Sequence, residues 1–385
     1  MLRKKTLTAV FAASAVLVGL GRVSFVASAQ TAEPAAAIDG VPRLGTGHWA
    51  VVPFFVGTGR STPMFLLDVT ESDGRLSAVV LDSSSRRQSW SVKAIGSVDG
   101  QLHIELESGG FDFLFDGSRG ETSARGELVM PSGMVAPTRI WPTTASSLEN
   151  YSPPEEEFAS ERVAASRAEG TEQIAALQSF AERHAQSPLA LDVCQEILRI
   201  AERGEVDEAV VEAAIEKYLE LSSRWGERLV RRSRIAVAEI LFDDPKFHPH
   251  ALQAVVTAES ELQDGDPAVW TNLVELVKGL TFVRSNDDSA RTQGAEILWK
   301  YHEQNIVDTN LTSELLNYER KHGDLDRAID LAAEFAAFPP TSEMSERWNA
   351  AKQSGIDIVG KLKSQVSELW VEKHGNTDGL EKRLD

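Results

Sequence analysis

Of the eight histidines in the 385-residue chain, only His248 and His250 stand close together, in His248-Pro249-His250. Two imidazoles on one helix face, four residues apart, can hold a zinc-class metal; a proline between histidines two apart defeats that spacing, and the pair reads as a surface loop. The single cysteine, Cys194, lies in an apolar helical pattern and reads as a small buried hydrophobe, not a nucleophile. There is no Gly-x-Ser-x-Gly elbow and no lysine-containing phosphate loop, and Gly57-Thr58-Gly59-Arg60-Ser61 is hairpin-turn chemistry. Carboxylates are plentiful, but none sits among apolar residues that would raise its pKa. Asp112 and Asp116 alternate with phenylalanines and should point outward. No catalytic residue, no metal ligand and no cofactor is therefore expected, and the chain is read as non-enzymatic.

The charge balance narrows the partners. With 39 basic and 58 acidic residues the chain carries −19, so it should repel nucleic acid and anionic lipid. Residues 44–150 hold eight basic and twelve acidic residues, and residues 151–385 hold 26 and 44. The acidity thus belongs to the second part, as solvated outward faces. Arg3-Lys4-Lys5, an apolar run from Leu7 to Leu20 and Ala27-Ser28-Ala29 have the form of a secretory signal peptide, residues 1–29. The run is shorter than the ~20 residues that span a bilayer, which favours cleavage after Ala29 over a retained anchor. An exported protein, periplasmic or secreted, without stable membrane insertion is the expectation.

Residues 30–44 are rich in Ala and Pro and read as a linker. Within 45–148 the pattern changes to short alternating runs. His48–Phe55, Pro63–Glu71, Arg75–Leu81, Gln88–Ile95, Gln101–Glu107, Phe111–Phe115, Ala124–Met130 and Val135–Trp141 each fit a strand. Ser-Asp-Gly, Val-Asp-Gly and Ser-Gly-Gly between them are tight-turn sequences. About eight antiparallel strands, closed into a barrel or folded as a sandwich, are expected.

Tyr151-Ser152-Pro153-Pro154 ends the β-rich part, and helical spacing dominates beyond it. Breaks near Gly170, Ser187-Pro188, Gly204, Gly226, Asp244-Pro245, Gly265-Asp266-Pro267, Ser285-Asn286-Asp287, Asp308, Gly323 and Pro339-Pro340 cut it into about ten helices of helix-pair length. The fold class is thus multidomain α+β, with an all-α domain at 154–342. Trp348, Ile356, Val359, Leu362, Val366 and Leu369 share one face of a capping helix within the tail 343–385.

Two resemblances sharpen this. Gly323-Asp324-Leu325-Asp326-Arg327-Ala328, its echo Gly204-Glu205-Val206-Asp207-Glu208-Ala209, and Trp270-Thr271-Asn272-Leu273 resemble the tetratricopeptide repeat, which implies a solenoid of helix pairs. A generic α-bundle is the competing reading. Gly47-His48-Trp49 with Arg139 on the last strand is similar to lipocalin-like barrels. That similarity implies that Trp49 plugs one barrel end with Arg139 packed over its ring. The layout also resembles secreted bacterial proteins that end in a thioredoxin domain; this chain has no Cys-x-x-Cys, so redox activity does not carry over.

The tetratricopeptide resemblance implies that the first helix of each pair lines a groove. Register from Trp270 puts Asn272, Glu275 and Lys278 there, and register from Leu315 and Gly323 puts Asn317, Arg320 and Lys321 there. Such a strip could grip a peptide carboxylate by charge-assisted hydrogen bonds. Equally, its cations could balance neighbouring acidic residues. Two functions follow: an interaction protein offering the helical surface to a protein or peptide, or a small-ligand binder using the β-barrel.

Overall fold

The computed structural model describes residues 44–85, 89–120, 122–154, 158–168, 170–203, 206–242, 244–264, 266, 268–304, 309–337 and 358–380. The expected leader, the linker up to residue 43, Gly204-Glu205, Gly265, Pro267, Asp308, Pro339-Pro340, Trp348 and Ile356 lie outside the described residues. The described chain forms two compact units, 44–55 with 60–154 and 56–59 with 158–380.

All eight expected strands form, together with one short extra strand. They are β1 (Gly47–Phe55), β2 (Arg60–Ser61), β3 (Phe65–Ser72), β4 (Arg75–Ser83), β5 (Ser91–Val98), β6 (Gln101–Ser108), β7 (Phe111–Arg119), β8 (Ala124–Val129) and β9 (Val135–Thr143). Pairing is antiparallel throughout, in the order β4-β3-β1-β9-β8-β7-β6-β5, with β2 beside β1. β4 and β5, the two ends of that order, lie beside each other, so the sheet curls into a nearly closed barrel. Asp73-Gly74, Asp99-Gly100 and Gly109-Gly110 all have positive φ at both residues, the backbone that a two-residue hairpin needs to match the strand twist.

Strand alternation fills the inside. Trp49, Val51, Phe65, Leu67, Ile104, Leu106, Phe115, Leu128 and Ile140 are buried in one cluster. Phe65, Trp90 and Phe113 meet edge to face there, with centroids 4.9 to 5.3 Å apart. The opposite parity of β1 and β3 places Ala50, Val52 and Leu66 on the outer face, where Trp141, Ala145, Leu148 and Tyr151 cover them. The chain after β9 is therefore part of this unit, and the Leu148 amide donates to Asp82 Oδ2 at 2.7 Å.

The second unit is helical: α1 (Ala159–Ser166), α2 (Gly170–Arg183), α3 (Leu189–Arg203), α4 (Glu208–Ser223), α5 (Glu227–Leu241), α6 (His248–Ser260), α7 (Ala268–Phe282), α8 (Asp288–Glu303), α9 (Thr309–His322), α10 (Leu325–Ala337) and α11 (Ile358–His374). Asp287 caps α8 by accepting from the Ala290 amide at 2.7 Å. Consecutive helices pack together up to α10, and in addition α1 touches α3, α3 touches α5, α5 touches α7 and α7 touches α9. Leu315, Leu316, Ala328, Ile329, Val366 and Leu369 share one core, so α11 covers the α9–α10 pair as its apolar face requires.

Candidate functional site

On α7, Trp270, Val274 and Val277 are buried at helical spacing, which turns Asn272, Glu275 and Lys278 to another face. Asn272 is exposed. Glu275 accepts two bonds from Lys300 Nζ, at 2.7 and 2.9 Å. The Tyr301 hydroxyl lies 3.0 Å from both Glu275 Oε2 and the Asn272 carbonyl oxygen. The Lys300 hydrogen bond holds the Glu275 carboxyl below its ordinary pKa, while burial first and Glu275 second push the Tyr301 hydroxyl up. Lys278 is committed elsewhere: its Nζ donates to both oxygens of Glu259 on α6, at 2.9 and 2.7 Å, and lies 5.3 Å over the Phe282 ring.

On α9 the buried Leu311 and Leu315 turn Asn317, Arg320 and Lys321 outward, and all three are exposed. Arg320 donates to Glu372 of α11 at 3.0 Å. Helices α7 and α9 touch, so the two sets sit on adjacent helices. Two of the three expected cations are thus engaged by glutamates of neighbouring helices. The partners are Glu259 and Glu372, not the nearby Glu275 and Glu319 suggested by sequence proximity. The side chains left reaching solvent are mainly the Asn272 and Asn317 amides and the Lys321 ammonium.

The arginine over Trp49 is not the one that the barrel resemblance implies. Trp49 is 1% exposed, and its Nε1 donates to the Gly45 carbonyl at 2.8 Å. The guanidinium over its ring, 5.6 Å from the centroid, belongs to Arg119, which also donates twice to the Leu44 carbonyl, at 3.2 and 2.8 Å. Arg139 instead lies 5.8 Å over Trp141. Parity decides between them. Arg139 pairs with Val52 on the outer face, whereas Trp49 points inward with Val51. Phe113 and Phe115 are inward on β7, so counting in twos from them leads to Arg119; that signal was present in the sequence.

Outside the barrel, Trp141, Thr143, Asn150, Tyr151 and Thr122 line an open hollow of about 840 Å³. The Tyr151 hydroxyl has no hydrogen-bond partner among the described residues, and burial pushes its pKa up to about 12. His248-Pro249-His250 is not a loop but the first turn of α6, where a proline is tolerated because its missing N–H has no intrahelical acceptor. His248 Nε2 lies 2.6 Å from the Thr281 carbonyl and donates to it. Cys194 is buried, and burial raises its thiol to about 12, far from a thiolate at neutral pH. Asp112 is exposed as expected, and Asp116 accepts from His103 across the β6–β7 ladder at 2.8 Å. Among the described residues no helix is long and apolar enough to cross a membrane.

No protein-family model, no curated protein and no solved structure matches this chain.

Proposed function

We propose that this is an exported, non-enzymatic interaction protein whose helical unit is a tetratricopeptide-like solenoid presenting one row of helices to a protein or peptide. The carrying observation is the packing of α1, α3, α5, α7 and α9 on one another in succession, which makes a continuous row from alternate helices. Asn272, Asn317 and Lys321 are exposed on that row and can donate hydrogen bonds to a peptide carboxylate or backbone. The leader-like residues 1–29 support export to the periplasm or beyond. The test is capture of a partner from the envelope fraction by the full chain, repeated with Asn317→Ala combined with Lys321→Ala. Loss of capture by the folded double variant, and weakening with ionic strength, supports the reading; unchanged capture removes this strip as the contact.

The hollow beside Trp141 favours a second reading, in which the β unit binds a small neutral molecule. Its rim is aromatic, hydroxyl and amide. The barrel interior, filled by its own side chains, is the less suitable place for a ligand. A co-purified small molecule, displaced by Trp141→Ala, would support it.

A further inference from the structure

Glu208 and Glu212 stand four residues apart on α4, hence on one face, at the start of that helix. His250, in the first turn of α6, reaches the same place: its Nε2 lies 3.2 Å from Glu208 Oε1. One donor atom from each of the three side chains falls within 4.8 Å of the other two. From these positions we propose that Glu208, Glu212 and His250 form a binding site for a divalent ion of the zinc class, which clips α4 to α6.

The donor set selects the metal. An imidazole nitrogen with two carboxylate oxygens is a zinc-type ligand set, whereas magnesium and calcium favour oxygen alone. Bonds of about 2.0–2.2 Å to a tetrahedral zinc ion put its donors about 3.3 Å apart. His250 and Glu208 already stand at that separation, and Glu212 is exposed, so its carboxylate can close in by a change of rotamer. The ion would also relieve the like-charge contact of Glu208 and Glu212, which costs a helix some tenths of a kcal/mol. Two glutamates at a helix start are ordinary by themselves. What distinguishes this cluster is the imidazole brought to it by a second helix, held at its root by Pro249 in the first turn of α6. Glu208 and Glu212 are both exposed, so the remaining coordination positions are open to water.

The test uses the full chain, stripped with chelator and titrated calorimetrically with zinc chloride. One saturable zinc ion per chain is expected, with affinity at least about tenfold weaker in Glu212→Gln and in His250→Gln, each checked for an unchanged circular dichroism spectrum. Zinc should raise the unfolding midpoint of the wild type and leave that of His250→Gln nearly unmoved. Absence of saturable binding, wild-type affinity in both variants, or equal affinity for magnesium would overturn the assignment. Should His250→Gln fail to fold, Glu212→Gln, altered only at an exposed side chain, decides the matter alone.

Discussion

The Glu319 carboxylate occupies the space that a side chain at Gly323 would need: a Cβ on Gly323 would lie 2.8 Å from Glu319 Cδ. Glu319 is 3% exposed, and its two oxygens are both used. Oε1 accepts from Trp299 Nε1 at 2.7 Å and Oε2 from the Asp324 amide at 2.8 Å. One buried carboxylate thus joins α8, the end of α9 and the residue that directly precedes α10. The glycine of the repeat-like stretch is explained by this collision and not by a left-handed backbone.

Gly323→Ala should therefore destabilise the helical unit by about 1–3 kcal/mol, the usual cost of overpacking a filled site. Urea unfolding followed by circular dichroism measures it. Ala at Gly375, whose φ is positive but whose Cβ would meet nothing within 4 Å, serves as a comparison that carries backbone strain without collision. A neutral Gly323→Ala would show that the Glu319 carboxylate has somewhere else to go.

Trp49→Ala should cost about 3–5 kcal/mol, because a fully buried indole leaves a cavity. Arg119→Ala should follow it with a smaller loss, since a guanidinium over the ring and two bonds to the Leu44 carbonyl vanish together. Arg139→Ala should leave the Trp49 fluorescence environment unchanged. An equal loss of stability in both arginine variants would refute the parity argument.

The β unit was legible because strands such as β4 and β6 alternate and the Asp-Gly and Gly-Gly turns admit few backbones, whereas β1 is a continuous buried run. The helices were legible from their breaks. Which side chains meet between helices was not. Lys278 and Glu259 are nineteen residues apart, and their pairing depends on how α6 packs on α7, which one helix's periodicity does not specify. The same holds for His250 and Glu208, brought together by α4 and α6. The Arg139 expectation failed differently: a resemblance named the wrong arginine where strand parity already pointed to Arg119.

Cys194 should resist thiol reagents in the native protein. Its side chain is buried in α3, and burial places its pKa at about 12, so raising the pH from neutral to mildly alkaline creates almost no thiolate. Labelling with a disulfide-exchange reagent should proceed only at the rate of unfolding, and at full rate in denaturant. Prompt native labelling that accelerates with pH would mean that α3 opens locally.

The Glu275–Lys300 pair should contribute stability that disappears in acid. The hydrogen bond from Lys300 is the main cause of the lowered Glu275 pKa, reinforced by the Tyr301 hydroxyl and opposed by partial burial. The folded pKa thus lies below the unfolded value, which for glutamate is about 4.3. A carboxyl depressed on folding adds stability that is fully present above the unfolded pKa and is lost as pH falls through the folded one. Lys300 is half exposed, so water screens the pair and its worth is under about 1 kcal/mol. Lys300→Met should therefore be less stable than wild type by a small, constant margin at neutral pH, and the margin should close below about pH 4. Urea midpoints of the two proteins measured across that range give the answer. A margin independent of pH would mean that Lys300 acts through its aliphatic stem and not through its charge.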